Sequence, residues 1–298
     1  MPAHVLTLVA ATAPLDPALV ETVRSALSRL GALVDRPVWL DEHFACDLFY
    51  DEFNDDQADA VAREIIGARA IDCFAQATEG RRKQLLLADM ESTLIENELL
   101  DDLAAAIGVG TKVAEITARA MNGEIEFTQA LEARVGLLAG IDASILDEIA
   151  AGIRYTPGAR ALVTTLARQG VETVIVSGGF DVFTARVAAF LGATRHYGNR
   201  LEIVAGRLTG RVLPPVLTRE SKYQTLVAEA AARERPLSGT LAIGDGANDL
   251  DMIAAAGLGV AYHAKPIVAA RARWRIDHTD LAALLYAQGL RADEILHP

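Results

Sequence analysis

The apolar run Leu85–Ala88 ends abruptly on Asp89 in the segment LLLADMEST, and Glu91, Ser92 and Thr93 follow at once. The pattern recurs far downstream, where Thr240–Ile243 leads through Gly244 to Asp245 in GDGAND, with Asn248 and Asp249 just beyond. A buried strand that ends on a carboxylate delivers it where open α/β sheets bind their ligands. Two such strand ends predict a divalent cation held by oxygen ligands, with a phosphate group as the natural third party. One charged residue after an apolar run also reads as a turn cap. It is the pairing of two sites that points to chemistry.

Between these segments lie two more residues suited to phosphate. The strand-like run Thr173–Val176 ends in Ser177-Gly178-Gly179, where the Ser177 hydroxyl and the Gly178 amide can both reach phosphate oxygens. Glycine permits that close backbone approach. Lys222 sits in RESKYQ, between the serine and the second aspartate segment. Taken alone, the first is an ordinary glycine turn and the second a solvated helix lysine.

The elements that must position these groups are legible in outline. Residues 1–78 alternate in type: strand His4–Ala10, helix Asp16–Leu30, strands Leu33–Leu40 and His43–Tyr50 around an acidic turn, helix Asn54–Ile66 with Asn54 or Asp55 as N-cap, and strand Ala70–Gln76. The order βαββαβ predicts a small ferredoxin-like α+β domain. The polar, basic stretch Ala77–Lys83 marks the boundary to a second domain, residues 79–298. There a long helical region of about 97–152 follows the Asp89 strand, with Ala104–Ala120 and Phe127–Leu138 its most periodic parts. Another helix starts at Pro157–Gly158 with Thr156 as N-cap, a further one runs from Asp181 to Leu191, and Arg200–Val212 alternates about Gly206 as a hairpin. Two helix–strand units ending at Gly244 and at Gly259–Ala261 complete an α/β pattern. It predicts a doubly wound parallel sheet, with the helical insertion as a cap over its strand ends.

Composition narrows the partners. A chain of 298 residues that is 51% hydrophobic is long enough to bury a full core. Its formal net charge of −12 argues against nucleic-acid binding, which needs a basic surface, yet leaves room for a small anionic substrate held by local cations. The two cysteines, Cys46 and Cys73, each lie in an apolar stretch and read as buried thiols of a reducing compartment. The N-terminal segment MPAHVLTLVA has no basic start and turns polar quickly, so neither a signal peptide nor a membrane span is expected. A cytoplasmic protein is the expectation.

Four ordered motifs, DMEST at 89–93, SGG at 177–179, Lys222 and GDGANDLDM at 244–252, resemble those of the haloacid dehalogenase superfamily. The segments MNGEIEFTQALEARV, GNRLEIVAGRLTGRV and GVAYHAKP extend the resemblance to its phosphoserine phosphatase branch over nearly all of residues 83–298. The resemblance implies a haloacid dehalogenase-like fold, phosphoserine as substrate and the last step of serine biosynthesis. It makes Asp89 the nucleophile that forms an aspartyl-phosphate, with Mg²⁺ and Lys222 offsetting the repulsion between carboxylate and phosphate. Asp89, the Glu91 backbone carbonyl and Asp245 are its implied metal ligands, with Asp249 behind them or as an added ligand. Ser177, Gly178, Lys222 and Asn248 are implied at the phosphoryl group. Glu98 faces the substrate ammonium, Arg134 its carboxylate, and Met121 and Phe127 form an apolar cover, although plain packing would explain the last two as well. Residues 1–78 resemble ACT-like regulatory modules. A homodimer and an amino-acid ligand at that module are the further partners this reading admits.

One position departs from the pattern. The family's phosphatases carry aspartate two residues after the nucleophile, and this chain has Glu91. The carboxyl group survives, so general acid–base chemistry remains open. Its extra methylene moves the carboxyl by roughly an ångström, a misplacement that can cost ~10²-fold in rate. Two alternatives stay open: a phosphotransferase from phosphoserine to a small alcohol such as homoserine, and a catalytically weakened protein that senses an amino acid.

Overall fold

In a computed structural model, residues 2–122 and 124–298 are described, without the side chain of Met121. The chain builds two sheets. The first 77 residues contribute β1 (His4–Ala10), α1 (Pro17–Arg29), β2 (Leu33–Val34), β3 (Val38–Asp41), β4 (Ala45–Asp51), α2 (Asp55–Ile66) and β5 (Ile71–Ala77). Asp16 and Asn54 cap the two helices with their side-chain oxygens. β1 lies between β4 and β5, antiparallel to both, and β2 and β3 pair with β4. This is the ferredoxin-like arrangement that the element order predicted. The strand expected over Leu33–Leu40 is broken in two. Pro37 between the halves has no N–H to give a ladder.

The second sheet follows from β6 (Leu85–Ala88), α3 (Leu99–Ala106), α4 (Gly110–Met121), α5 (Phe127–Gly136), α6 (Ile145–Ala151), α7 (Ala159–Arg168), β7 (Glu172–Phe180), α8 (Asp181–Leu191), β8 (Arg195–Val204) and β9 (Arg207–Leu213). It continues with α9 (Arg219–Ala232), β10 (Thr240–Gly244), α10 (Leu250–Ala255), β11 (Leu258–Tyr262), α11 (Pro266–Ala269), β12 (Trp274–Ile276) and α12 (Ala283–Ala287). Its strand order is β12-β11-β10-β6-β7-β8-β9, parallel throughout except for the final hairpin. All four residues of β6 are buried, as a central parallel strand covered on both faces requires. Chain connections run off β6 to both sides. That makes a topological switch point, and the crevice at its carboxyl end is the expected place for a ligand.

α3–α6 form the cap over this end. Two strand-like linkers join it to the sheet and hold each other: Glu96 N donates to Arg154 O at 2.8 Å and Thr156 N to Leu94 O at 3.0 Å. Thr156 is therefore part of this linker and not the N-cap of α7. Gly158 fills that role in a left-handed conformation (φ 77), pressed against Asp280 and Ala282 so closely that no side chain would fit. The hairpin pairs from Arg200 with Leu213 to Val204 with Arg207, as the alternation about Gly206 predicted, while Arg195–Asn199 of the same strand pair with β7. Its β9 strand packs under the cap, with Leu208 N donating to Ile141 O at 2.9 Å.

The two sheets meet at β5 and β12. Trp274 Nε1 donates to Ala75 O at 2.9 Å. The buried Arg81 guanidinium donates to both Asp47 oxygens at 2.7 Å, to Thr7 Oγ1 at 2.7 Å and to Ala287 O at 2.8 Å.

Gly259, in β11, lets α10 approach the sheet: a Cβ there would overlap the Ile253 carbonyl. Gly259→Ala is expected to destabilise the protein by at least the ~1–3 kcal/mol of core overpacking. A thermal melt should show a midpoint lowered by several degrees. An unchanged midpoint would show that α10 moves away freely.

Candidate active site

The carboxyl ends of β6, β7 and β10 bring the motif residues together. Asp89 follows β6 directly and is buried; its Oδ1 accepts from Met90 N at 2.8 Å. Asp245 follows β10, and Asp249 stands at the start of α10. Carboxylate oxygens of Asp89, Asp245 and Asp249 all lie within 4.8 Å of one another. Lys222 projects from α9 into this cluster, its Nζ 2.8 Å from Asp89 Oδ2 and 2.6 Å from Asp249 Oδ1. The other Asp249 oxygen accepts from Gly246 N at 3.0 Å.

Each charge here is shifted by its surroundings. Burial raises the Asp89 carboxyl above its ordinary value, outweighing the pull of Lys222. Burial and then Asp249 push Asp245 up to about 6; burial and then Asp89 push Asp249 up to about 7. Burial works against the Lys222 ammonium, but Asp89 and Asp249 together hold its pKa above the usual lysine range. Crowded acids of this kind stay ionised side by side only when a cation joins them.

Glu91 occupies a niche of its own. Its Oε1 accepts from Leu99 N at 2.8 Å, at the start of the first cap helix. Its Oε2 would lie 2.7 Å from any Cβ placed on Gly179. The longer side chain therefore fits because position 179 is glycine. Burial and then the neighbouring Glu98 push the Glu91 carboxyl up to about 8, so near neutrality it is largely a proton donor. Glu98 Oε1 accepts from Ser92 Oγ at 2.7 Å.

A cleft of about 350 Å³ opens above these groups, lined by Asp89, Glu91, Glu98, Arg134, Ser177, Gly178, Asp245 and Asn248 among others. Arg134 reaches it from α5, half-buried, its Nε donating to Ala130 O at 3.2 Å. Phe127 is 43% exposed and hangs over Gly178, with ring carbon Cζ 3.6 Å from where a Cβ would stand. Ser177 Oγ accepts from Gly179 N at 2.9 Å, which fixes its rotamer and leaves its proton free for a ligand. Lys222 lies beneath the cleft. Of the residues expected here, only the Met121 side chain falls outside the described residues, although its backbone closes α4.

The structure adds residues that the sequence reading passed over. Lys265 lines the cleft, and its backbone N donates to Asp245 O at 3.3 Å. Asp101 and Thr117 line it from the cap. Asn199 is fully buried; its Nδ2 donates to Gly178 O at 2.7 Å and its Oδ1 accepts from Leu217 N at 2.8 Å, holding the SGG turn in place. Lys265 and Asn199 both stand in segments that carried the resemblance, so a polar residue beside a strand in those segments was the available signal.

The sequence profile of haloacid dehalogenase-like hydrolases matches residues 86–254, more than half of the chain. The chain belongs to the haloacid dehalogenase-like hydrolase family. Within it, a phosphoserine phosphatase of Streptomyces coelicolor is 48% identical over 215 residues, 72% of this chain and 52% of that protein. The match thus spans about half the length of that relative. A crystal structure of a family hydrolase from Salmonella enterica serovar Typhi aligns with a TM-score of 0.85 and 27% identity, covering 95% of this chain and 97% of the other. That likeness takes in both sheets of this hydrolase. A phospho-aspartyl intermediate analogue of phosphoserine phosphatase aligns at a TM-score of 0.64 and 37% identity, covering 69% of this chain and 98% of that one.

The Glu91 environment has a stability consequence for the metal-free hydrolase. Its folded pKa of about 8 lies above the ordinary 4.5. The unfolded chain therefore binds fewer protons between those values, and this group makes the fold less stable as pH rises through that window. Glu91→Gln should remove that contribution. Melts in chelator are expected to show the variant gaining on the parent from about pH 5 to about pH 8. A constant difference across that range would show that Glu91 is already ionised in the fold.

Proposed function

We propose that this hydrolase is a Mg²⁺-dependent phosphoserine phosphatase, converting O-phospho-L-serine to L-serine and phosphate through an aspartyl-phosphate. The observation that carries the reading is one cleft in which Asp89, paired with Lys222 at 2.8 Å, faces the same space as Arg134 and Glu98. A nucleophilic carboxylate, a cation for the phosphoryl group and an acid–base pair for an amino acid's two charges are what this substrate needs. The relatives named phosphoserine phosphatase support the same substrate.

Asp89 attacks phosphorus as serine oxygen leaves, and Lys222, Ser177, the Gly178 amide and Asn248 hold the phosphoryl oxygens. Glu91, protonated in its niche, gives its proton to the departing oxygen; as carboxylate it then takes one from the water that opens the aspartyl-phosphate. Arg134 orients the substrate carboxylate and Glu98 its ammonium. Phe127 closes the cleft against stray water. The donor set fits a hard divalent cation, because the side chains that cluster among the described residues, Asp89, Asp245 and Asp249, are all carboxylates. Asp89, Asp245 and the Glu91 carbonyl would hold Mg²⁺, with Asp249 supporting from behind. When bound, it supplies positive charge against that of the phosphate.

The same reading assigns residues 79–298 to the phosphatase unit, with its cap at about 97–152, and residues 1–78 to an attached module. It places the enzyme in the cytoplasm, at the last step of serine formation. No helix among the described residues is long and apolar enough to cross a membrane.

Phosphate release from O-phospho-L-serine with Mg²⁺, set against a panel of other phosphomonoesters, tests the proposal. Asp89→Asn is expected to abolish it, since a neutral amide forms no acyl-phosphate. Substantial turnover by that variant would remove Asp89 from the role. Phosphohomoserine formed on adding homoserine would shift the reading to phosphotransfer.

Arg134→Ala is expected to raise KM for phosphoserine on the order of tenfold to a hundredfold, the loss of ~1.5–3 kcal/mol from one charge-assisted contact. Phosphoethanolamine, which lacks the carboxylate, should be far less affected. Equal losses on both substrates would make Arg134 a packing residue only.

A further inference from the structure

Asp72 lies in β5 of the N-terminal sheet, 1% exposed, and its carboxylate is spent entirely on a loop of the other unit. Oδ1 accepts from Asp277 N at 2.9 Å. Oδ2 accepts from His278 N at 3.2 Å, Thr279 N at 2.8 Å and Thr279 Oγ1 at 2.7 Å. Four donors on one carboxylate fix the course of residues 277–279, which would otherwise expose a row of unpaired amides.

That loop holds the next one. The Thr279 carbonyl lies 2.9 Å from His263 Nε2, and because a carbonyl only accepts, Nε2 carries the proton. The His263 backbone N donates to Ile276 O at 2.8 Å, so residue 263 is tied by its backbone to the end of β12 and by its ring to the loop Asp72 organises. His263 sits in a left-handed conformation (φ 41), uncommon outside glycine, at the point where these two bonds hold it. Two residues on, Lys265 lines the cleft, and its N–H reaches Asp245 O at 3.3 Å.

We propose that Asp72 is a positioning residue for the candidate active site: through the 277–279 loop and His263 it sets the turn that places the Lys265 ammonium at the phosphate-binding cleft. The N-terminal unit thereby shapes the affinity of a site that none of its described residues lines. This rests on the proposed function only in taking the cleft to be where phosphate binds.

A double-mutant cycle on orthophosphate binding, measured by calorimetry with Mg²⁺ present, tests it without needing turnover. Lys265→Met and Asp72→Asn should each weaken binding by about tenfold, within the usual range of coupled neighbours. In Asp72→Asn an amide NH₂ must face donors or give up an acceptor. In the Lys265→Met background, Asp72→Asn should change affinity less than about twofold, because the group it positions is gone. His263→Ala, on an exposed turn, repeats the cycle without disturbing the inter-unit contact and decides the matter if Asp72→Asn fails to fold. Additive effects, an unchanged affinity in His263→Ala, or no phosphate binding by the parent would overturn the proposal. Phosphoserine hydrolysis by the parent is a separate assay, so failure of the substrate assignment is seen independently.

Discussion

Lys222 is the cation on which the arrangement at the sheet's carboxyl end depends. Asp89 and Asp249 come from different strand ends and are buried at a distance where two carboxylates would repel strongly. A single ammonium between them, 2% exposed and bonded to both, makes that proximity tolerable. Removing a charge from water costs several kcal/mol, and only close partners on both sides return it. The pairing therefore ties α9 to the ends of β6 and β10 and fixes the relative height of three elements. It also leaves Asp89 with one oxygen on a cation and the other on its own neighbour's amide, both oxygens held in place.

Asp245 has no such cation at bonding distance among the described residues, and burial, then the neighbouring Asp249, push its carboxyl up to about 6. The site thus carries an excess of negative charge on the side facing the cleft, where Glu98 and Asp101 add to it. A divalent cation would offset that excess and let a phosphate approach.

The cap does more than cover. Its first helix begins at Leu99, whose N–H takes the Glu91 carboxyl, so the departure from aspartate at this position binds core to cap. A helix start is a favourable place for a carboxylate, and Gly179 supplies the room that a longer side chain needs. On the far side, the β8–β9 hairpin reaches up to the cap through Leu208 and Ile141. The cleft walls are held from both ends, while the paired linkers at Leu94–Glu96 and Arg154–Thr156 leave a narrow hinge between them.

The strand ends and the order of the motifs are legible from the residues alone. Leu85–Ala88 before Asp89 and Thr240–Ile243 before Asp245 are local patterns, since an apolar run long enough for a strand and short of a helix is visible without tertiary information. The βαββαβ order of the first 78 residues was legible for the same reason. Local rules misplaced the start of α7: Thr156 looked like an N-cap, but its N–H is taken by Leu94 in the linker, and Gly158 takes the role, where Asp280 and Ala282 leave no room for a side chain. The folded arrangement is needed to see that Lys222 is buried and paired, since a helix lysine reads the same whether solvated or enclosed. It alone revealed Asn199 under the SGG turn, Lys265 at the cleft and Asp72 holding the 277–279 loop. Each of these depends on segments far apart in the chain meeting at bonding distance, and no periodicity or spacing within either segment encodes that meeting.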